Sequence, residues 1–371
     1  MKTLRGNIFT SEGEFRYGEI VVENSVITKV DYLDADSLTE KEKATRIIPG
    51  LVDIHTHGAF GHDTCDADYE GQKVIANYER NNGITRFCPT TMTLSEDRLT
   101  EICRNIAKVS RECPEIKGIY LEGPFISMEK KGAQNPLYIA KPDMGMIDRL
   151  CEESENLVKI VAIAPETEGA IETIKSGKDK VKFSMAHTAA DVNQAQAAIE
   201  AGAKHVTHLY NAMNPYTHRA PGLIGAAMDS EDTMVELISD GIHVHPVAIK
   251  DTFRMFGEDR VILISDSMEA TGMEDGNYAL GGQPVTKEGR LATLSDGTIA
   301  GSASNLFDCL TYAISIGVKP ESAILAATRN PAKEIGIYAK TGSIDVGKAS
   351  DILILGDDYS LQMVIQSEED F

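Results

Sequence analysis

The chain has 371 residues, of which 42% are hydrophobic and 25% are charged, as in an ordinary globular protein. This length is enough for one large domain together with a small one. The formal net charge of −21 argues against nucleic acid or an anionic membrane as a partner. A small anionic substrate fits that charge only where Arg or His residues cluster locally.

The cysteines and the chain start both indicate an intracellular protein. Six cysteines are scattered without a Cys-x-x-Cys pair, which predicts reduced thiols that serve mainly in packing. The first residues carry no apolar signal core, and no apolar run reaches transmembrane length. We therefore expect a cytoplasmic protein with no membrane partner.

The first 48 residues predict a small β module. Strand-like runs separated by Asn and Gly turn residues occupy residues 6–10, 18–23 and 25–30. An acidic, polar linker over residues 34–42 then leads to Pro49-Gly50, where the pattern changes.

From Pro49 onwards, apolar strand candidates alternate with helical segments. The eight strand candidates are residues 51–55, 85–91, 118–122, 160–165, 181–187, 205–209, 234–239 and 261–266. Helices are expected, among others, over residues 95–111, 190–201 and 246–256, with Ser95 and Asp191 as N-caps. Eight β/α units in about 250 residues are typical of a (β/α)₈ barrel. A doubly wound open sheet competes, but no Gly-rich dinucleotide loop follows any strand.

The last third of the chain predicts an insertion, two helices and a return to strands. A Gly-rich β insertion lies near residues 277–300, and a helix is expected from about residue 302 to 317. A second helix is expected to begin near Pro320 and to carry Asn330-Pro331-Ala332. Strands are expected again over residues 342–347 and 351–355. Because sheets of two or three strands are marginal, these strands should complete the N-terminal module.

The predicted fold class is therefore α/β, with a (β/α)₈ TIM-like barrel and a small β-sandwich domain formed by both chain ends. The barrel is expected over residues 49–341, with the β insertion inside it. The small domain takes residues 1–48 and 342–371.

Two histidines directly follow the first barrel strand. Side chains two residues apart in an extended chain point to the same side, so His55 and His57 are aimed together. Such a pair can present two nitrogens to one metal ion, although a lone His-x-His is common. Other strand candidates end in, or are followed by, Glu122, His187, His208, His243 and Asp266. Because the carboxyl ends of barrel strands open on one face, the pattern predicts a shared active site.

The motifs at these strand ends resemble the amidohydrolase superfamily and, within it, the family of N-acetylglucosamine-6-phosphate deacetylases. The resemblance runs essentially the whole chain. It is carried by residues 49–58, 121–125, 186–188, 207–213, 240–243, 265–266 and 296–302. The Glu-Gly-Pro strand end together with His-Leu-Tyr-Asn-Ala-Met is much more specific than the His-x-His pair.

The resemblance implies a metal-dependent hydrolase that removes the acetyl group of N-acetyl-D-glucosamine 6-phosphate in amino-sugar catabolism. It implies that Glu122, His187 and His208 hold one divalent ion, Zn²⁺ or Fe²⁺. The presence of both His55 and His57 leaves one or two ions open. Asp266 resembles the catalytic carboxylate, which takes a proton from metal-activated water and passes it to the departing amine.

The resemblance also implies substrate-binding residues and a partner subunit. Asn211, Ala212, Arg219 and His243 match positions that bind the sugar phosphate. In the family this arginine can reach a neighbouring active site, so a homodimer is expected. Gln134 stands where the family often has histidine, and it can donate a hydrogen bond to substrate but cannot carry a positive charge.

Three other functions stay open from the sequence. The substrate can be N-acetylgalactosamine 6-phosphate or another N-acyl hexosamine phosphate. A cyclic amidase of the dihydroorotase type is disfavoured, because that chemistry favours a bridging lysine and none occupies the third or fourth strand end. A catalytically inactive interaction protein is disfavoured because all the expected ligand types are present.

Overall fold

A computed structural model describes residues 1–368 of the chain. The strands are β1 (Lys2–Phe9), β2 (Phe15–Glu23), β3 (Val26–Tyr32), β4 (Arg46–Pro49), β5 (Leu51–Thr56), β6 (Gly58–Ala59), β7 (His62–Asp63), β8 (Ile84–Thr91), β9 (Ile119–Phe125), β10 (Val158–Ile163), β11 (Lys182–Met185), β12 (His205–Val206), β13 (Met234–Ile238), β14 (Val261–Ile264), β15 (Gly276–Leu280), β16 (Gln283–Glu288), β17 (Leu291–Thr293), β18 (Ile352–Leu355) and β19 (Leu361–Ile365). The α-helices are α1 (Glu40–Lys43), α2 (Tyr69–Asn81), α3 (Glu96–Ser110), α4 (Met144–Glu153), α5 (Ala170–Gly177), α6 (Val192–Ala201), α7 (Gly222–Asp229), α8 (Pro246–Phe256), α9 (Leu306–Ser315), α10 (Pro320–Ala327) and α11 (Arg329–Glu334).

Eight parallel strands form a nearly closed barrel, in the order β5-β8-β9-β10-β11-β12-β13-β14. The first and last strands are joined near their carboxyl ends by backbone hydrogen bonds. The Asp266 amide donates to the His55 carbonyl at 2.9 Å, and the His57 amide donates to the Ser267 carbonyl at 2.8 Å. The predicted barrel is confirmed, and its closure places His55, His57 and Asp266 side by side.

The barrel elements form where the apolar pattern and the caps indicate. Every residue of β5, β8 and β9 is buried, as expected for strands covered by helices on one side and barrel core on the other. The Ser95 hydroxyl accepts from the Arg98 amide at the start of α3, and Asp191 forms a capping box with Gln194 at the start of α6. Helices α3, α6 and α8 therefore begin within two residues of the predicted positions, whereas α9 begins at Leu306, four residues after the predicted start.

Both chain ends meet in one six-stranded sheet, in the order β19-β18-β4-β1-β2-β3. Its core includes Ile8, Ile20, Ile47 and Ile352, which are all fully buried. The predicted pairing of the two ends is confirmed, whereas the exact domain bounds 1–48, 49–341 and 342–371 stay a prediction.

A buried ion pair joins the barrel to this sheet. Arg86 on β8 donates from Nε and Nη2 to the two carboxylate oxygens of Asp351, at 2.8 and 3.0 Å. Both side chains are almost completely buried.

Two predictions for the last third of the chain are wrong in detail. Residues 342–347 form turns rather than a strand, because Gly342 and Gly347 adopt left-handed φ angles of 83° and 89°. The segment still covers the small sheet, since Gly347 donates to the Ile27 carbonyl at 2.8 Å. The helix expected from residue 320 is two helices, α10 and α11, which are separated at Thr328. The predicted β insertion is confirmed as the antiparallel strands β15, β16 and β17.

Within residues 1–368, no helix combines the length and apolarity needed to cross a membrane. All six cysteines are free and buried, as the scattered spacing predicted.

Candidate metal centre and active site

The carboxyl ends of the barrel strands converge on a buried cluster of histidines and acids. Glu122 lies at its centre, with Oε1 2.9 Å from His208 Nε2 and 3.1 Å from His187 Nε2. Its other oxygen, Oε2, lies 3.3 Å from His57 Nε2. On the far side, Asp266 Oδ1 lies 3.2 Å from His57 Nε2 and 3.6 Å from His55 Nε2. The five predicted ligands, together with the predicted catalytic Asp266, thus form two adjoining triads, Glu122–His187–His208 and His55–His57–Asp266, each compact enough to hold a metal ion.

Hydrogen bonds behind the rings determine which nitrogen faces the cluster. His187 Nδ1 lies 2.9 Å from the Lys130 carbonyl oxygen, and His57 Nδ1 lies 3.2 Å from the Thr90 carbonyl oxygen. A carbonyl oxygen only accepts, so Nδ1 carries the hydrogen, and in the neutral ring the lone pair lies on Nε2. Those lone pairs point at carboxylate oxygens, which also only accept. Two acceptors at this distance need a positive charge between them, which either a proton on Nε2 or a metal ion supplies. Imidazole with carboxylate is a donor set that suits a divalent metal.

A chain of buried charged groups supports His55 from behind. His55 Nδ1 lies 2.9 Å from Glu236 Oε2, and the other oxygen of Glu236 lies 2.9 Å from His205 Nε2. His205 Nδ1 in turn lies 3.1 Å from Glu334 Oε1. Burial lowers the pKa of His205, but its two carboxylate partners outweigh burial and raise the pKa to about 9. His205 is therefore an imidazolium that pairs with Glu236, and Glu236 fixes the orientation of His55.

The backbone is left-handed at three of the six cluster residues. His187, His208 and Asp266 have φ angles of 44°, 27° and 51°. Non-glycine residues in this region cost on the order of 1–3 kcal/mol each, and they concentrate at functional sites. Each lies just past a barrel strand, where the left-handed turn redirects the side chain into the cluster.

The cluster lies at the base of a cleft of about 160 Å³. The predicted substrate residues Asn211, Ala212, His243 and Gln134 all line this cleft. Arg219 does not, because it is exposed on the loop that precedes α7. The roles of these residues stay predictions.

Two of the lining side chains have their polar atoms engaged within the protein. His243 Nδ1 lies 2.7 Å from Asp240 Oδ2, and its Nε2 lies 3.1 Å from the Ala300 carbonyl oxygen. Gln134 accepts from the Thr93 amide and donates to Glu122, both at 2.6 Å.

Sequence reasoning missed two parts of the site. Glu236 carried a signal, because it is a charged residue inside the otherwise apolar strand β13. The opposite wall of the cleft is formed by Leu280 and residues 298–301 of the insertion. Nothing local in that Gly-rich sequence indicates that it folds over the barrel mouth.

This chain is a member of the amidohydrolase family, whose sequence pattern matches residues 46–371. This family assignment accounts for the two triads of histidine and carboxylate side chains at the open mouth of the barrel.

Within the family, the chain is similar to deacetylases of phosphorylated amino sugars. It is 39% identical to the N-acetylglucosamine-6-phosphate deacetylase of Bacillus subtilis (strain 168), over 86% of this chain and 83% of that protein. It is 31% identical to the N-acetylgalactosamine-6-phosphate deacetylase of Escherichia coli O157:H7, over 96% of this chain and 95% of that protein. A solved structure of the Mycobacterium smegmatis N-acetyl-D-glucosamine-6-phosphate deacetylase, an Asp-to-Ala mutant in complex with N-acetyl-D-glucosamine 6-phosphate, is 30% identical. It matches with a TM-score of 0.93 over 99% of this chain and 98% of that chain.

Proposed function

We propose that this protein hydrolyses the N-acetyl amide of N-acetyl-D-glucosamine 6-phosphate, giving D-glucosamine 6-phosphate and acetate in amino-sugar catabolism. The observation that carries the proposal is the convergence of imidazole nitrogens on the carboxylates of Glu122 and Asp266 at the base of an open cleft. The similarity to deacetylases, at up to 39% identity, supports this substrate class.

The ligands for the metal are assigned from the two triads. Glu122, His187 and His208 would hold one divalent ion, Zn²⁺ or Fe²⁺, and His55, His57 and Asp266 offer a place for a second. Such an ion, when bound, acts as a Lewis acid that lowers the pKa of water and polarises a carbonyl oxygen.

Asp266 is the residue placed to move the proton. Burial opposes ionisation of Asp266, but the neighbouring His55 and His57 outweigh it and lower its pKa, so the carboxylate is charged at neutral pH. Asp266 takes the proton of the attacking water and then delivers it to the amide nitrogen, because an amine leaves only once it is protonated. The same carboxylate thus serves first as base and then as acid.

The 4-epimer of the sugar is a second candidate substrate. The similarity to an N-acetylgalactosamine-6-phosphate deacetylase extends over 96% of the chain, which is more of its length than the Bacillus relative matches. A homodimer and a cytoplasmic location belong to the same proposal. The exposed position of Arg219, away from the cleft of its own chain, supports a role in a second copy.

Acetate release from three compounds tests the proposal. We expect fast release from N-acetylglucosamine 6-phosphate, a lower kcat/KM for the galactosamine epimer, and little release from unphosphorylated N-acetylglucosamine. A higher kcat/KM for the epimer would make N-acetylgalactosamine 6-phosphate the assigned substrate. Absence of acetate release from both phosphorylated sugars would refute the proposed deacetylase activity.

A further inference from the structure

Gln134 is buried beside Glu122 in the lining of the cleft, and both ends of its amide form hydrogen bonds. It is 1% exposed, and it lies on the loop that follows β9. Its Oε1 accepts from the Thr93 backbone amide at 2.6 Å, and its Nε2 donates to Glu122 Oε2 at 2.6 Å. A weaker contact, at 3.6 Å, joins Nε2 to the sulfur of Met92.

The orientation of this amide follows from its partners. The Thr93 backbone nitrogen can only donate, so the group that faces it must be the Gln134 oxygen. A flipped amide would place two donors against each other at Thr93 and two acceptors against each other at Glu122. The nitrogen therefore faces Glu122, and both of its hydrogens have partners within the protein.

The contact gives the two oxygens of Glu122 different surroundings. Oε1 faces His187 and His208, whereas Oε2 receives the amide of Gln134 at 2.6 Å and lies 3.3 Å from His57 Nε2. The last torsion of a glutamate side chain has broad wells, so the carboxylate plane can otherwise rotate. A hydrogen bond to one oxygen stops that rotation and keeps the other oxygen between the two imidazoles. Partners of this kind behind a ligand commonly change metal affinity 10–100-fold.

We propose that Gln134 is a positioning residue for Glu122, rather than the substrate contact expected from the sequence. The inference rests on the proposed metal site. The amide of Gln134 donates to Glu122 without adding a positive charge beside a cation that Glu122 would hold.

Metal release from the holoenzyme tests this role. Gln134→Met keeps the length and bulk of the side chain but removes both hydrogen bonds. Asn135→Ala is the matched control, because Asn135 lies on the same loop and, within residues 1–368, its side chain accepts only from the Leu137 amide. The measurement is the rate at which a chelator removes the divalent metal from each protein, together with kcat and KM for acetate release under metal saturation.

We expect Gln134→Met to release metal about 10–100-fold faster than wild type, with kcat lowered and KM nearly unchanged. Asn135→Ala should release metal at the wild-type rate. Equal rates of metal release from Gln134→Met and wild type, with only KM raised, would overturn the inference in favour of a substrate contact.

If Gln134→Met is too unstable for this assay, the rise in Tm on adding metal replaces the rate of metal release as the measurement. A smaller rise than in wild type supports the inference, and an equal rise overturns it. Wild-type protein that binds no metal would instead overturn the proposed function, so the two failures are distinguishable.

Discussion

Replacing Asp266 by asparagine removes the proposed proton carrier with little change to the surrounding structure. The residue has φ = 51°, a left-handed conformation that asparagine tolerates as well as aspartate does. Its backbone amide keeps the hydrogen bond to His55, which holds the barrel closed. Alanine would add backbone strain at this position, so Asp266→Asn is the cleaner perturbation.

The size of the effect follows from how many steps need the carboxylate. General acid–base catalysis by one positioned group contributes about 10²–10⁴-fold. Because Asp266 would act both on water and on the leaving amine, we expect kcat to fall by about 10³–10⁴-fold. That loss corresponds to about 4–5.5 kcal/mol of transition-state stabilisation.

The assay is acetate release at saturating substrate, with bound metal measured in the same sample. Asp251→Asn on the exposed surface of α8 serves as the control and should retain wild-type kcat. If the Asp266→Asn protein keeps its metal and its kcat stays within ten-fold of the wild-type value, the proton transfer assigned to Asp266 is refuted.

Three further predictions concern the residues behind the site and the joint between barrel and small sheet. Glu236→Gln removes the negative charge that orients His55, so metal affinity in a chelator competition should fall about 10–100-fold. An unchanged metal affinity would show that Glu236 does not support the metal site through His55. Arg86→Met leaves Asp351 buried without this charge partner, so urea unfolding should show a loss of about 3–5 kcal/mol, and a loss below 1 kcal/mol would contradict the buried pair. The raised pKa of His205 means that its charge stabilises the fold fully below pH 6.5 and progressively less as the pH rises through about 9. The free energy of unfolding should therefore fall more steeply over this range in wild type than in His205→Gln, and parallel profiles would argue against the imidazolium.

The barrel was predictable because its pattern is local and repeated. Each strand is a short apolar run, and several of these runs are followed by helices with recognisable caps such as Ser95 and Asp191. The strand ends were less certain, since β12 covers only His205–Val206 where five residues were expected. The left-handed backbone at His208 redirects the chain soon after that strand, and hydrophobic periodicity does not report such a turn.

The segment at residues 342–347 shows why composition misled at the sheet edge. Ile344 is buried in the small-sheet core, as its apolar side chain favours. The flanking Gly342 and Gly347 adopt left-handed angles, however, and the segment packs without extending a ladder. An apolar residue in this segment indicates that its side chain is buried, but it does not indicate that the backbone forms a strand.

Some parts of the candidate site could be predicted from local sequence, whereas others depend on how distant segments pack together. His55 and His57 are adjacent along one strand, so their shared direction followed from strand geometry. The Glu236–His205–Glu334 chain depends on how neighbouring strands and α11 meet inside the barrel. The bond from Gln134 to Glu122 likewise depends on the path of a loop, and the proposed positioning role of that glutamine rests on it.

Removal and restoration of metal in one preparation tests the central claim most directly. Metal content and acetate release from N-acetylglucosamine 6-phosphate are measured before chelation, after chelation and after adding back Zn²⁺ or Fe²⁺. The account predicts that acetate release disappears with the metal and returns in proportion to the ions rebound. Undiminished acetate release from protein without bound metal would contradict it.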